Sequence, residues 1–236
     1  MSGPILEVRD VRKRFGGLEA LAGPSFDVPE GAIVGLIGPN GSGKSTLFDC
    51  ITGTQRLDGG EVRFAGRRIS GLAPYQIARR GVGRTFQLGR LFGRLSVLEN
   101  LLAVRGPLEG RRAEARAHEL IELVGLTRVT HELAANLSYG QSKLLEFIRA
   151  LMLDPILVLL DEPAAGVNPT LLERIVGYVR GLRDRGVTVL VVEHNMGFIM
   201  GLCDQVVVLD HGEKIAEGPP QEIREDERVI EAYFGR

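Results

Sequence analysis

The fold of this chain is decided by residues 38–46, which read Gly38-Pro39-Asn40-Gly41-Ser42-Gly43-Lys44-Ser45-Thr46 and match the pattern G-x-x-x-x-G-K-[ST]. The preceding residues, 32–37, form an apolar stretch with the length of a buried strand. The following residues, 45–51, have the pattern of a helix. A strand, a glycine-rich loop and a helix in this order predict an anion-binding loop in an α/β domain. A glycine-rich turn with an unrelated lysine is the alternative.

The loop has the chemistry to hold the phosphates of a nucleotide. Its backbone N–H groups and the positive end of the helix dipole converge on an anion, which is then bound mainly by main chain. Gly38, Gly41 and Gly43 let the backbone wrap closely because they carry no Cβ. Lys44 has the length to reach the β- and γ-phosphates, and the hydroxyl of Ser45 is placed for Mg²⁺. We therefore expect the whole loop to bind a nucleotide with Mg²⁺.

The overall composition argues against several classes of protein. The 236 residues are 44% hydrophobic and 25% charged, and 29 basic against 30 acidic side chains leave a formal charge of −1. This balance gives no basic footprint for nucleic acid, so no nucleic-acid partner is expected. Cys50 and Cys203 are far apart in the chain and form no C-x-x-C pair, which argues against a disulfide framework or a zinc site and favours a reducing, cytosolic setting.

The chain also lacks the marks of insertion into a membrane. No apolar run approaches the ~20 residues that a membrane-spanning helix needs. The first residues do not have the charged-then-apolar build of a secretory signal. We therefore expect a soluble chain that reaches a membrane only through a partner.

Three segments of different character follow one another along the chain. The first alternates apolar and charged residues over 5–15, with similar short stretches at 26–28 and 61–64, which predicts a small antiparallel sheet. The second, 96–153, has helical patterns and begins with a capping-box sequence. In the third, apolar runs alternate with helical stretches, which favours a parallel sheet covered on both faces; these runs are 156–160, 187–192 and 206–209.

Together these segments predict an α/β fold of the P-loop NTPase (RecA-like) type, a parallel sheet with an antiparallel β subdomain and an inserted helical subdomain. We expect one nucleotide-binding domain over residues 1–236. Its core is expected at approximately 1–90 and 154–236, and the helical subdomain at approximately 91–153.

Two acidic residues and a histidine follow buried strands of the predicted parallel sheet. Asp161 stands at the carboxyl end of its strand, where ligands bind in α/β sheets, and a carboxylate there can hold Mg²⁺. Glu162 points elsewhere and can orient and deprotonate an attacking water. An acidic cap at a helix N-terminus is the alternative for this pair. His194 emerges at the same edge, where a structural role and a catalytic one are both open.

The segment Leu137-Ser138-Tyr139-Gly140-Gln141 closely resembles the signature motif of ATP-binding cassette proteins, with one substitution at its third position. The other motifs of that family occur in the expected order. Phe15 matches the aromatic residue that stacks on adenine, Gln87 matches the Q-loop glutamine, residues 164–169 match the D-loop, and His194 matches the switch histidine. Judged without the family, Phe15 reads as a core residue and Gln87 as an ordinary loop glutamine.

The resemblance implies a division of roles in ATP hydrolysis. Glu162 would be the general base, and His194 would contact the γ-phosphate. Gln87 would coordinate Mg²⁺ or the catalytic water while its loop touches a transmembrane partner. Asp161 and Ser45 complete the implied metal ligands.

The signature segment is implied to serve a second subunit. Ser138, Tyr139, Gly140 and Gln141 would bind the ATP held by a facing copy or relative, so that two ATPase subunits close head to tail. A merely capped helix is the alternative for this segment. Tyr139 replaces the usual small glycine, and Asn168 stands where the D-loop commonly has aspartate, which puts any charge-based role of that position in doubt.

A narrower resemblance is to the ATP-binding subunits of bacterial importers for branched-chain and other hydrophobic amino acids. It rests on residues 84–87, 90–92, 95–102, 161–169, 193–196 and 229–235. It implies two transmembrane permease subunits as partners, a periplasmic or extracellular solute-binding protein that acts indirectly, and a place on the cytoplasmic face of the bacterial inner membrane. Residues 87–94 would form the surface that meets the permeases.

Several other functions stay open beside this one. Related subunits that serve urea uptake or lipopolysaccharide export share several of these stretches. A cassette ATPase of DNA repair, chromosome structure or translation would carry a long coiled-coil insertion or tandem cassettes, and this sequence has neither. A kinase or simple P-loop phosphotransferase would not explain residues 137–141 and His194.

Overall fold

The computed structural model describes residues 3–85, 91–106 and 108–234. The first part of the chain contains β1 (Pro4–Phe15), β2 (Leu18–Ala22), β3 (Phe26–Pro29), β4 (Ile33–Ile37), α1 (Lys44–Ile51), β5 (Gly59–Phe64), β6 (Arg67–Arg68), α2 (Pro74–Ala78) and β7 (Val82–Arg84). A helix-rich stretch follows with α3 (Val97–Leu102), α4 (Gly110–Leu123), two 3₁₀ turns (Thr127–Val129 and Ala134–Asn136) and α5 (Tyr139–Ala150). The last part contains β8 (Leu157–Asp161), α6 (Pro169–Asp184), β9 (Thr188–Val192), α7 (Met196–Leu202), β10 (Gln205–Asp210), β11 (Glu213–Gly218), α8 (Pro220–Glu225) and α9 (Glu227–Phe234).

The antiparallel sheet is built around β1, which alternates buried and partly exposed residues as the sequence predicted. Its strands lie in the order β2-β1-β5-β6, and β3 also pairs with β1. Leu6 of β1 stands opposite Phe64 of β5 and Val28 of β3, so these three side chains fall on the buried face. The sheet thereby presents one apolar face to the rest of the molecule.

The second sheet carries the functional edge. Its strands lie in the order β11-β10-β4-β9-β8-β7, parallel from β10 to β7, with β11 antiparallel at one edge. Ile33 and Ile37 of β4 belong to one apolar cluster, whereas Val34 and Leu36 belong to the other. Because successive side chains point to opposite faces, the sheet is covered on both sides, which confirms the prediction from continuous apolar strands.

The helix-rich stretch lies between β7 and β8 along the chain. The predicted capping box at its start is confirmed, since Ser96 Oγ accepts from Glu99 N at 3.2 Å and Glu99 Oε2 accepts from Ser96 N at 2.7 Å. The predicted apolar face of α4 is buried, including Ala117, Leu120 and Ile121. The boundaries expected for a helical subdomain, near 91 and 153, stay a prediction.

The sequence patterns did not predict some of the observed strands correctly. The sequence Asp58-Gly59-Gly60 predicts a turn, which is wrong in part because β5 already begins at Gly59. Strand β7 has three residues, and β11 is polar with Ala216 as its one buried residue, so neither shows a usable alternation. Across the described residues, no helix combines the length and the apolar character needed to cross a membrane.

Candidate functional site

The carboxyl ends of β4, β8 and β10 meet at one edge of the parallel sheet and border a cavity of about 480 Å³. Parallel strands place ligand sites at this edge because the loops that follow the strands converge there. The cavity is lined by Phe15, Leu18, Glu19, Ala20, Asn40, Gly41, Gly43, Lys44, Ser45, Thr46, Glu162 and His211. It therefore brings together most of the loop at 38–46 with two further residues that the sequence singled out.

The loop between β4 and α1 has the backbone shape of an anion cradle. Gly38, Gly41 and Gly43 have φ values of 149°, 84° and 99°, which side-chain-bearing residues rarely adopt. A Cβ on Gly38 would overlap the carbonyl oxygen of Leu209, so the close approach also requires glycine. Helix α1 begins at Lys44 with no side-chain cap, which leaves N–H groups of its first turn for an anion.

Lys44 is folded into the loop that precedes it. Its Nζ donates to the carbonyl oxygens of Gly38 and Pro39, both at 2.8 Å, and to Ser42 Oγ at 3.3 Å. Burial lowers the pKa of Lys44, while the negative charges of Glu162 and Asp161 raise it in part. The ammonium group is thus held at the cavity wall by neutral carbonyl groups.

Asp161 ends β8 as a buried carboxylate. Its Oδ2 accepts from Arg84 Nη2 at 3.1 Å, and Arg84 Nη1 donates to Asp49 Oδ1 at 2.6 Å. Burial raises the pKa of Asp161, and the Arg84 guanidinium opposes that rise. Within the described part of the chain, Asp161 Oδ1 is buried without a hydrogen-bond partner. Oxygen donors of this kind, together with the hydroxyl of Ser45, fit the ligand preference of Mg²⁺.

Glu162 turns away from Asp161 because its backbone is left-handed, with φ of 47°. A non-glycine residue in this region carries strain that the surroundings must hold, here with a hydrogen bond from Glu162 N to Val192 O at 2.9 Å. The side chain lines the cavity. The alternative of an acidic helix cap is wrong, because α6 begins at Pro169 and is capped by Asn168.

His194 follows β9 at the same edge of the sheet but does not line the cavity. Its side chain is 60% exposed, and its Nδ1 lies 3.9 Å from Oε2 of the fully buried Glu193. Glu193 also accepts backbone N–H groups, from Ala164 at 2.6 Å, from His194 at 3.1 Å and from Asn195 at 3.3 Å. This carboxylate, for which the sequence alone suggests no separate role, fixes the backbone beside the histidine.

The signature segment, defined here as residues 137–141, lies away from the cavity at the start of α5. Ser138 Oγ accepts from Gln141 N at 3.4 Å and Gln141 Oε1 accepts from Ser138 N at 2.9 Å, so a capping box is present. Tyr139 is 54% exposed, and Gly140 is half-buried beside it. The segment therefore does cap a helix, as the alternative interpretation predicted, and it is also exposed on the surface of the molecule.

Phe15 and Gln87 complete the predicted residues. Phe15 is 45% exposed on the cavity rim, with Lys13 Nζ at 5.3 Å from its ring centroid, so the core interpretation is wrong. Gln87 lies outside the described residues. Asn168, the departure in the D-loop stretch, uses its Oδ1 to accept from Leu171 N at 2.9 Å. Its amide therefore has a local role as the cap of α6.

Three further residues at this edge were missed. The sequence alone predicts a surface or packing role for His211; the structure places it on the surface, where it also lines the cavity. Arg84 joins Asp161 to α1, as described above. Tyr233 of α9 accepts a hydrogen bond from Gly38 N at 2.8 Å through its hydroxyl. Only the position of His211, directly after a strand of the parallel sheet, was a usable signal in the sequence.

Comparison with known proteins agrees with this geometry. A family model described as "ABC transporter" matches residues 21–165, and one described as "Branched-chain amino acid ATP-binding cassette transporter" matches residues 213–236. The high-affinity branched-chain amino acid transport ATP-binding protein BraF of Pseudomonas aeruginosa is 42% identical over 100% of this chain and 99% of its own. LivG of Escherichia coli, with the same description, is 39% identical over 100% and 99%, and the lipopolysaccharide export system ATP-binding protein LptB of Escherichia coli is 37% identical over 98% and 97%.

Solved structures of similar chains share the whole fold. The crystal structure of a nucleotide-free ATP-binding cassette from an ABC transporter superposes with a TM-score of 0.92 at 34% identity, covering 99% of this chain and 100% of the other. The ADP conformation of an ATP-binding cassette of an ABC transporter gives 0.92 at 35% identity, with complete coverage of both chains. With the family model, the full-length relatives and the fold in agreement, this chain belongs to the ATP-binding cassette family of transporter ATPases.

Proposed function

We propose that this chain hydrolyses ATP with Mg²⁺ to drive an importer of branched-chain or other hydrophobic amino acids. The observation that supports ATP hydrolysis is that Lys44 and Glu162 line one cavity together with the glycine-rich loop. The full-length identity of 42% to BraF and the match of residues 213–236 support the transported class.

Several residues at this edge of the parallel sheet have roles that their chemistry supports. The N–H groups at the start of α1 and the Lys44 ammonium hold the β- and γ-phosphates, and Phe15 stacks on the adenine. Ser45 and Asp161 hold Mg²⁺, which when bound neutralises charge on the phosphates. Glu162 takes the proton from the attacking water.

Two predicted residues extend the site beyond the cavity wall. His194 stands exposed at the sheet edge, in reach of a γ-phosphate once a second subunit closes over it. Gln87, which follows β7 in the sequence, contacts the metal or the water, as the family pattern implies.

The signature segment completes the site of a second cassette. Ser138, Tyr139 and Gly140 stand outward at a helix N-terminus and take no part in lining this chain's own cavity. An outward helix N-terminus with a serine hydroxyl suits the phosphates of a nucleotide held by a facing subunit. Two cassettes, identical or related, then close head to tail on two ATP molecules, and the tighter binding of ATP to the closed pair supplies the free energy.

The permeases would dock at a groove of about 300 Å³ near the end of β7. Phe92, 48% exposed with Arg149 at 5.2 Å from its ring, forms part of this groove with Thr85 and Glu146. An exposed aromatic ring flanked by charged groups suits the end of a membrane-subunit helix. The two ATPase subunits lie on the cytoplasmic face of the bacterial inner membrane. A solute-binding protein delivers substrate to the permeases from the opposite face of that membrane.

Replacement of the proposed base tests the mechanism. Glu162→Gln removes the proton acceptor but keeps the side-chain shape, so we expect normal ATP binding, at least 100-fold slower hydrolysis, on the order expected for a lost general base, and accumulation of a dimer with ATP. Glu19→Gln is the matched control, because Glu19 lines the same cavity but pairs with Arg14 at 3.0 Å. Wild-type turnover by the Glu162→Gln protein would refute the assignment.

The substrate class needs a second experiment. The ATPase rate of the transporter, reconstituted with its partner permeases, is measured with the binding protein loaded with leucine, isoleucine or valine. Stimulation by these amino acids supports the proposal. Stimulation by lipopolysaccharide instead would favour the export function that the name of LptB describes.

A further inference from the structure

The chain between β8 and α6 is held at two consecutive residues by different parts of the molecule. This connecting segment is residues 163–167. On one side, Ala164 N donates to Oε1 of the fully buried Glu193 at 2.6 Å. On the other side, Ala165 O accepts from Tyr139 Oη at 2.7 Å. The segment is thus joined to the end of β9 and to the signature segment at once.

The fit around Tyr139 is close enough to require specific neighbours. Gly166 has φ of 69°, and a Cβ there would lie 2.8 Å from Tyr139 Oη and 3.3 Å from its Cζ. A Cβ on Gly140 would lie 3.1 Å from Leu171 Cδ2 on α6. All three distances are shorter than ordinary van der Waals contact, so glycine at 140 and 166 lets the start of α5 pack directly on the connecting segment and α6.

We propose that Tyr139 is a positioning residue that ties the signature segment to the connecting segment, so that both meet the second cassette as one preformed surface. This inference rests on the proposed head-to-tail pair. The glycine that this motif usually carries has no hydroxyl and cannot make the bond to Ala165 O. The substitution at the third position is therefore a gain of an internal contact rather than only added bulk.

The physical benefit is preorganisation. A loop and a helix start that must be ordered at the moment of association lower the affinity, whereas surfaces already held in place do not. The tie also connects Glu162, which directly precedes the connecting segment, to α5 of the helix-rich stretch. Displacement of the backbone at Glu162 is then passed to the signature segment through Ala165 and Tyr139.

Tyr139→Phe tests the tie, since it keeps the ring and removes only the hydroxyl. In the Glu162→Gln background we expect the ATP concentration for half-maximal pairing of cassettes to rise about five-fold, the equivalent of about one lost hydrogen bond. We also expect faster exchange of the backbone amides of residues 164–167 in the single chain, without a change in exchange of the parallel sheet.

Tyr178→Phe is the matched control. It also loses a hydroxyl that takes part in a hydrogen bond, from Arg174 Nη2 at 3.0 Å, but it lies on α6 away from the connecting segment. If Glu162→Gln alone fails to pair with ATP, the proposed function is wrong. If it pairs and Tyr139→Phe matches Tyr178→Phe in ATP dependence and in exchange, the role of Tyr139 is overturned.

Discussion

Arg84→Met is expected to destabilise the chain strongly. Among the hydrogen bonds of the described residues, those of Arg84 at the end of β7 join Asp161 of β8 to Asp49 of α1. Its guanidinium contacts Asp49 at 2.6 Å and Asp161 at 3.1 Å, and the side chains of Arg84 and Asp161 are 9% and 4% exposed. The guanidinium carbon of Arg84 also lies 5.7 Å from the centre of the Phe48 ring. Methionine keeps an unbranched apolar side chain at this position but loses the charge, the hydrogen bonds and this ring contact.

The size of the effect follows from the burial of each partner. Removing one partner of a buried ion pair leaves an uncompensated charge and costs about 3–5 kcal/mol, and Asp161 is such a partner. Asp49 is 32% exposed, so its loss of a partner adds less than about 1 kcal/mol. We expect a total of about 4 kcal/mol, which for a chain of this length lowers the melting temperature by roughly 8–16 °C.

Urea unfolding of the nucleotide-free protein, followed by circular dichroism, measures this difference. Asp161→Asn removes the charge that Arg84 compensates, so the double variant Arg84→Met/Asp161→Asn is expected to be more stable than the sum of the two single effects by about 2 kcal/mol. Asp49→Asn is the control on the exposed side. A loss below about 1 kcal/mol for Arg84→Met, or an additive double variant, would contradict the reasoning.

Three further outcomes are expected. Gly38→Ala meets the carbonyl oxygen of Leu209 and has an unfavourable φ, so we expect loss of nucleotide binding in equilibrium dialysis and a folding defect of several kcal/mol; normal binding would rule out the close approach. Tyr233→Phe leaves Gly38 N without its acceptor and should cost about 1–2 kcal/mol in urea unfolding, and a cost of zero would show that this bond is unimportant. Burial raises the pKa of Cys203 to about 12 and that of Cys50 to about 11, so at pH 8 we expect both thiols to react with a thiol reagent only after unfolding. Unfolded thiols ionise near pH 9.0 whereas the buried ones stay protonated, so stability should fall as pH rises above that value, and rapid native labelling would contradict the burial.

The parts of the fold that the sequence predicted are those with strong local patterns. Strands β4, β8 and β9 are buried over every residue, so their sequences are continuous apolar runs that stand out from their surroundings. The cap at Ser96 and the loop at 38–46 were likewise recognisable because their chemistry lies within a few adjacent residues.

The features that the sequence did not predict depend on contacts between residues that are far apart in the chain. Arg84 and Asp161 are 77 positions apart, and Gly38 and Tyr233 are 195 apart. A charged or aromatic residue carries no local sign of which distant group it will meet, so their partners became known only from the packed structure. The departure at Tyr139 shows the same limit, because its acceptor Ala165 lies 26 positions further on.

The position of β4 in the parallel sheet affects how the protein folds during its synthesis. The strand that leads into the phosphate loop is flanked by β9 and β10, whose residues Val189 and Gln205 pair with Ile33 and Val34. Such pairings between distant parts of the chain give a high contact order and slow folding. While the ribosome is synthesising the first two thirds of the chain, β4 lacks both neighbouring strands. The phosphate loop that follows β4 is then not held in place, so ATP cannot stabilise it. Nucleotide can therefore stabilise the fold only near the end of translation, and until then the apolar strand β4 lacks the two strands that cover its edges.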